Sequence, residues 1–344
     1  MAKLSWIEFA RGQWMSLPPV EVVDLTGKTV MVVGANAGIG FEATKHFARM
    51  NPDRIIFACR SRERGAAAVE RLRNEADYSK AELWILDLCK FSSVKEFADK
   101  FEKDGGRLDI LLENAAMEPR LDGVVDITED GWESTVQVND LSLSLLALRL
   151  LPRMVETARK YSTTPRLVLV SSEVHYLTRF NKAIEDAGNP LRLLGSKSYS
   201  SEPGVITERY NQTKLINVFF TRALGYRLSN APIIVNTVNP GFCISELRKH
   251  QTGVTMWLLE KLLARTAEQG SRQLVWAAVG GEESRDALRG AYISIQEVCE
   301  PSDYVISENG KKMQDKLWDN LIEELSEIDS KVKPIVAQHL SAVI

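Results

Sequence analysis

TVMVVGANAGIGFEATKHF, residues 29–47, is the stretch on which the fold turns. Thr29 to Val33 read as a buried strand, Gly34, Gly38 and Gly40 form a tight loop with Asn36 and Ile39, and Gly38 to Met50 have helical periodicity. A strand that enters a helix through glycines suits a nucleotide diphosphate, because the first-turn N–H groups and the helix dipole both favour negative charge. Gly34 permits the turn, Gly38 lets backbone approach a pyrophosphate, and Gly40 allows close packing of the helix. The spacing is G-x-x-x-G-x-G, so it meets the general G-x-G-x-x-G fingerprint only in part. A bare glycine-rich turn is the alternative.

Working outward, apolar runs alternate with amphipathic stretches, the pattern of a parallel sheet covered by helices on both faces. Strands are expected at Thr29–Val33, Arg54–Cys59, Leu83–Leu86, Leu108–Leu112, Leu167–Val170, Ile233–Val238 and Ala291–Ile295. Helices are expected at Gly38–Met50, Arg62–Ala76, Ser92–Lys103, Glu129–Arg159, Glu208–Leu228 and Ala267–Val279. The fold class is therefore α/β: one Rossmann-type, doubly wound parallel sheet of about seven strands.

Four segments stand outside the alternation. Residues 1–24 form an N-terminal arm in which Leu17-Pro18-Pro19 stops a helix from running into the first strand, and 25–300 form the α/β domain. Within it, 173–207 is a polar insertion too long for an ordinary connection. Residues 242–265 carry Met256, Trp257, Leu258, Leu259, Leu262 and Leu263, an apolar helix face that either packs on the domain, lids a substrate cleft or touches a membrane surface. Residues 301–344 read as a charged helical extension around Trp318, docked on the edge of the sheet.

Composition narrows the functional classes. The 344 residues carry 43 basic and 46 acidic side chains, interspersed without a basic stripe, which argues against a nucleic-acid partner. Cys59, Cys89, Cys243 and Cys299 lie far apart with no zinc-type spacing, as reduced thiols of a cytoplasmic protein do. No run approaches the ~18 apolar residues of a membrane span, and Met1 to Val20 carry charges where a signal peptide is apolar.

Two positions speak to the nucleotide. Arg60, at the end of the second strand, suits the 2′-phosphate of NADP, where a carboxylate would suit NAD; a solvated arginine at a helix start is the alternative. Asp87-Leu88 ends the third strand, where the carboxylate accepts from an adenine amino group or caps a helix.

Tyr210 and Lys214 are four apart on a predicted helix and so share a face. About 0.4 such pairs are expected by chance in a chain of this composition, so the pair draws its meaning from its surroundings. Ser171-Ser172 closes the fifth strand, Asn114 follows the fourth, and Asn139 lies on the helix between them. Ligands of open α/β sheets bind beyond these carboxyl ends.

With these residues assembled, the chain resembles the short-chain dehydrogenase/reductase family. The glycine loop, Asp87, Glu113-Asn114-Ala115-Ala116, Val138-Asn139, Ser171-Ser172, Tyr210-x-x-x-Lys214 and Asn239-Pro240-Gly241 occur in the family's order over roughly residues 25 to 300. Ala58-Cys59-Arg60-Ser61 and Tyr210 to Phe219 look most like the branch of retinol dehydrogenases and the WW-domain oxidoreductase, without a WW module.

The resemblance implies that Tyr210 is the acid/base, that Ser172 hydrogen-bonds the substrate oxygen, and that Lys214 supports the tyrosine and holds the nicotinamide ribose. Asn139 is implied to hold a water linking Lys214 to solvent. Asn114, Ala115, Pro240 and Gly241 join the NADP(H) site. The expected activity is NADP-dependent interconversion of an alcohol and a carbonyl on a hydrophobic small molecule, such as a terpenoid, polyketide or other lipid-like secondary metabolite. Pairing as a homodimer through the long helices of Asn139 and Tyr210 is a further implication.

Val33, Glu113 and Ala116 depart from the family pattern, and a buried Glu113 needs a partner. They motivate the alternative of a catalytically silent member that keeps the fold and cofactor binding; a Rossmann-like methyltransferase is a second. His175 is read as a loop or pocket-lining residue, with catalysis as its lesser alternative.

Overall fold

The computed structural model describes residues 6–120, 122, 124–245, 247 and 254–340. Residues 246 and 248–253 of the expected lid, and the side chains of Met256 and Trp257, lie outside the described residues, as do the two ends of the chain. Eight strands form one sheet: β1 (Thr29–Val33), β2 (Arg54–Cys59), β3 (Ala81–Ile85), β4 (Ile110–Glu113), β5 (Arg166–Val170), β6 (Ile234–Asn239), β7 (Ala291–Ser294) and β8 (Glu297–Cys299). Their order is β3-β2-β1-β4-β5-β6-β7-β8. All pairs are parallel except β7 with β8.

The principal helices are α1 (Trp6–Trp14), α2 (Gly38–Arg49), α3 (Arg62–Ala76), α4 (Phe91–Asp104), α5 (Leu143–Tyr161), α6 (Arg209–Arg227), α7 (Val254–Leu263), α8 (Ala267–Val279), α9 (Glu308–Ile328) and α10 (Val332–His339). Apolar residues of α2, α3 and α8 form the core on one face of the sheet, and those of α4, α5 and α6 form it on the other. β1, β2, β4, β5 and β6 are buried nearly throughout, which is why they read as continuous apolar runs, whereas β3 at the sheet's edge is only partly covered. The chain winds outward from β1 to β3 and then restarts at β4 on the opposite side. The carboxyl ends of β1 and β4 thus diverge at a switch point, where such sheets open a crevice.

Four expectations change. The eighth strand is new: a two-residue turn at Ile295 and Gln296, both with positive φ, folds it back on β7. Such turns are ordinarily signalled by Asn-Gly, which this chain lacks here. The helix expected at 129–159 starts at Ser134, and Gln137–Ser142 form a π-helical turn before α5. The insertion 173–207 is a chain of short helical pieces, among them Lys182–Asp186, Pro190–Gly195 and Lys197–Ser200. Each is too short to show a period, although Asn181, Asn189 and Ser196 cap them with side-chain oxygens.

The fourth change concerns the C-terminal extension, which lies over helices and not on the sheet's edge. Trp318 of α9 stacks on Phe220 of α6 with ring centroids 6.1 Å apart. Arg149 of α5 meets Asp99 of α4 and Asp329, which follows α9. Among the described residues, no helix is long and apolar enough to cross a membrane.

Candidate active site

The glycine loop leaves β1 with its two turns in left-handed backbone, φ +81° at Gly34 and +59° at Gly38. Gly40 is required for a different reason. A Cβ there would lie 2.4 Å from both Asn114 Nδ2 and Gly34 O, inside the hydrogen bond by which Asn114 donates to Gly34 O at 3.0 Å. One contact therefore fixes the loop to the end of β4. The remaining amide oxygen, Asn114 Oδ1, is buried and has no protein partner. No side chain caps the start of α2, and no acid lies in its first turn, so its N–H groups suit an anion.

From this loop a groove of about 410 Å³ runs along the ends of β1 to β4. Gly34, Asn36, Gly38, Ile39, Arg60, Asp87, Leu88, Asn114 and Ala115 all line it, so the residues singled out for the nucleotide at the ends of β1 to β4 meet there. Asp87 Oδ1 accepts from Cys89 N–H at 3.0 Å, capping its own turn and not a helix. Arg64 also lines the groove and was missed in the sequence. Its signal was available: it lies four residues after Arg60, across Ser61, whose Oγ accepts the Arg64 N–H and starts α3.

Beyond the switch point, β5 ends at two serines that face different ways, as alternation along an extended chain requires. Ser171 Oγ donates to Lys214 O at 2.8 Å, whereas Ser172 Oγ accepts from Val174 N–H at 3.3 Å; both serines line a cavity shared with Tyr210. Lys214 Nζ lies 5.6 Å from the Tyr210 ring centroid and donates to Val170 O at 2.8 Å and Asn217 Oδ1 at 3.2 Å. Burial lowers the Lys214 pKa to about 8, against the opposing pull of the Asp140 and Glu118 carboxylates.

Asn139 sits in the π-helical turn with its amide fully engaged. Oδ1 accepts from Met117 N–H, and Nδ2 donates to Met117 O and Thr213 Oγ1. Its backbone oxygen accepts from Asn217 Nδ2 at 2.8 Å. Asn217, three residues after Lys214, thus joins Lys214 directly to Asn139. The same Nδ2 reaches Asp140 Oδ1 at 3.1 Å, a carboxyl that burial pushes well above its usual range.

The cavity holds about 570 Å³ and is walled by Val174, Leu177, Phe242 and Leu247, with Ser172, Tyr210 and Lys214 on its polar side. Pro240 and Gly241 line it as well, so the candidate residues divide between the two hollows. Ile39, Asn114, Ala116, Glu118 and Ser245 line both, and the hollows are therefore continuous. Glu173, beside Ser172, also faces the cavity; burial raises its pKa to about 7, opposed by Arg265 and Asn239. Nothing in the spacing of the sequence singled it out.

His175 does not line the cavity. Its ring is buried against Tyr176 and Tyr292, at 4.0 and 4.5 Å between centroids. Nδ1 lies 2.7 Å from Ser172 O, and Nε2 accepts from Ser302 N–H at 3.2 Å. Burial lowers its pKa to about 4, so the neutral ring ties the Ser172 turn to the C-terminal extension. Glu113 is buried with neither oxygen partnered, and burial drives its pKa well above the carboxylate range. The partner that the sequence called for is absent, and the side chain is accommodated as the neutral acid. Among the described residues, no group of three or more His, Cys, Asp or Glu is arranged to hold a metal ion.

Comparison with known proteins agrees with this geometry. Residues 28–180 match the family profile of short chain dehydrogenases. The chain is 34% identical over 325 residues to the short chain dehydrogenase/reductase dmxR8 of Cryptosporiopsis sp. (strain 8999), covering 93% of this chain and 97% of that one. Among solved structures it resembles the Pseudomonas aeruginosa RhlG/NADP active-site complex, with a TM-score of 0.59 and 19% identity over 79% of this chain and 96% of that one. It also resembles 3-ketoacyl-(acyl-carrier-protein) reductase from Brucella melitensis complexed with NADH, with a TM-score of 0.57, 19% identity and coverage of 79% and 97%. At these identities the two structures speak to the fold alone.

Proposed function

We propose, from the premise that this chain belongs to the short-chain dehydrogenase/reductase family, that it is an NADP-dependent oxidoreductase. In this reading it interconverts an alcohol and a carbonyl on a hydrophobic small molecule, of the terpenoid, polyketide or lipid-like secondary-metabolite class. The carrying observation is the continuity of the two hollows: the cavity of Ser172 and Tyr210 opens into the groove of the glycine loop through shared walls.

The residues fit the cofactor. Gly40 keeps the loop clear of side chain, Asn114 Oδ1 offers a buried acceptor without a partner, and Arg60 and Arg64 flank the groove beyond β2, where a 2′-phosphate would be held. When bound, the nicotinamide supplies or accepts a hydride. Ser172 Oγ orients the substrate oxygen, and Tyr210 gives that oxygen a proton during reduction or takes one during oxidation. Moving a tyrosine from about 10 toward 7 requires about 4 kcal/mol of preferential stabilisation of its anion. Lys214, buried one helical turn away, supplies positive charge for this and is itself held by Val170 O and Asn217. The apolar walls set by Val174, Leu177 and Phe242 support a lipid-like substrate.

A cytosolic setting belongs to the same reading, supported by four free cysteines. Pairing through α5 and α6 does not, because α9 and α10 pack over these helices.

The test is Tyr210→Phe. NADPH oxidation is followed across a panel of apolar aldehydes and ketones, and kcat/KM is expected to fall about 10²- to 10⁴-fold while NADPH affinity is retained. Near-normal turnover in the variant contradicts the role of Tyr210. Tight NADPH binding with no oxidation on any carbonyl favours a silent member of the family.

A further inference from the structure

We infer that the N-terminal helix α1 is a wall of the substrate cavity and that Phe9 sets the width of the apolar group the cavity takes. This rests on the reading of the Ser172 and Tyr210 cavity as the substrate site. The sequence reading treated residues 1–24 as an arm leading into the first strand. In the structure α1 lies against α7 and reaches the catalytic cleft. Phe9 lines the cavity and meets Phe242 edge-on, with ring centroids 6.3 Å apart. An aromatic ring at this place fixes both the volume and the shape of the space opposite Tyr210.

A polar clasp holds the helix there. Arg265 Nη2 donates to Gly12 O at 2.6 Å, Gln13 Nε2 donates to Glu173 Oε1 at 3.2 Å, and Trp14 Nε1 donates to Leu262 O at 3.1 Å. The clasp closes over the Pro240-Gly241 turn. A Cβ at Gly241 would stand 2.7 Å from Arg265 Nη1 and 3.4 Å from Gln13 Nε2, so glycine is what allows the end of α1 to sit there. Through Glu173 the clasp reaches the residue next to Ser172, and through Asn239, which accepts from Glu173 N–H and Gly241 N–H, it is tied to β6. The clasp is also incompletely satisfied, since Gln13 Oε1 and Arg265 Nε are buried without partners. Unmade hydrogen bonds of this kind reduce what is lost when the helix lifts, and a wall that lifts admits a substrate.

The experiment uses the full-length protein and the neutral apolar dye Nile red as the probe of the cavity, with NADPH affinity measured in parallel. Wild type, Phe9→Ala, Phe9→Trp and Gln13→Leu are compared. Wild type is expected to bind one dye saturably, and both Phe9 variants to change its Kd about fivefold or more, since one removes the aromatic ring from the wall and the other enlarges it. Gln13→Leu, which frees α1 from Glu173, is expected to speed dye dissociation by about the same factor while thermal unfolding is unchanged. NADPH affinity should stay within about twofold in all of them, because α1 lines the cavity and not the groove. Absence of saturable dye binding in wild type, or unchanged dye affinity in both Phe9 variants, overturns the inference. Loss of NADPH binding in every protein, wild type included, contradicts the proposed cofactor while the dye measurement still decides the role of α1.

Discussion

The groove of the glycine loop takes its walls from the ends of four adjacent parallel strands, whereas the cavity beside Tyr210 takes them largely from α1, the turn that follows β5, the start of α6 and the segment that follows β6. The groove is held by backbone geometry: two left-handed glycines, one excluded Cβ and hydrogen bonds between neighbouring strand ends. The cavity is held by buried polar side chains that each bridge distant segments, His175 to Ser302, Glu133 to Arg209 and Glu173 to Gln13. Damage to the first region should therefore register in ligand affinity, and damage to the second in stability and its dependence on pH.

The largest effect is expected at Glu133. It caps the turn before the π-helical segment by accepting from Thr135 and Val136 N–H, and it lies 3.4 Å from Arg209, whose side chain is wholly buried next to Tyr210. Glu133→Ala strands a buried guanidinium and should cost about 3–5 kcal/mol by denaturant unfolding. A loss below about 1 kcal/mol would show that buried charge does not hold this half together.

His175 sharpens the contrast through pH. Its pKa falls from 6.5 in the unfolded chain to about 4 in the fold. Between those values the unfolded state binds the extra proton, so the contribution is fully present above pH about 6.5 and is lost as pH falls toward 4. The shift corresponds to roughly 3 kcal/mol. Wild type should therefore lose up to about that much more stability than His175→Gln on going from pH 7 to pH 4. Parallel pH profiles for the two proteins would remove His175 from the account.

Gly40→Ala probes the other half. The added methyl collides with Asn114 and Gly34 O, and displacement of the loop should weaken NADPH about tenfold, in keeping with the 1–3 kcal/mol typical of overpacking. The prediction breaks if stability falls by that amount and affinity does not.

The same division explains what the sequence could disclose. Glycines, strand ends and the Tyr210–Lys214 spacing report local constraints, so the groove residues and the serine, tyrosine and lysine set were legible one by one. β8 was not, because Ile295 and Gln296 adopt a turn that their side chains do not announce. The insertion was read as loop, since pieces of four to six residues carry no measurable period. Arg64 and Asn217 were within reach at helical spacings from Arg60 and Lys214. Phe9, Glu173 and Arg265 were not, because their significance comes from contacts across more than 150 residues of chain, such as the Gln13–Glu173 hydrogen bond, whose partners lie 160 residues apart.

The measurement that bears most directly on the central claim is equilibrium titration of the protein with NADPH and NADH, repeated with Arg60→Ala/Arg64→Ala. One NADPH should bind per chain at least about tenfold more tightly than NADH, and the double variant should erase the difference, because the 2′-phosphate has then lost both guanidiniums that line the groove. Equal affinity for the two nucleotides in wild type would contradict the assignment of the groove to NADP.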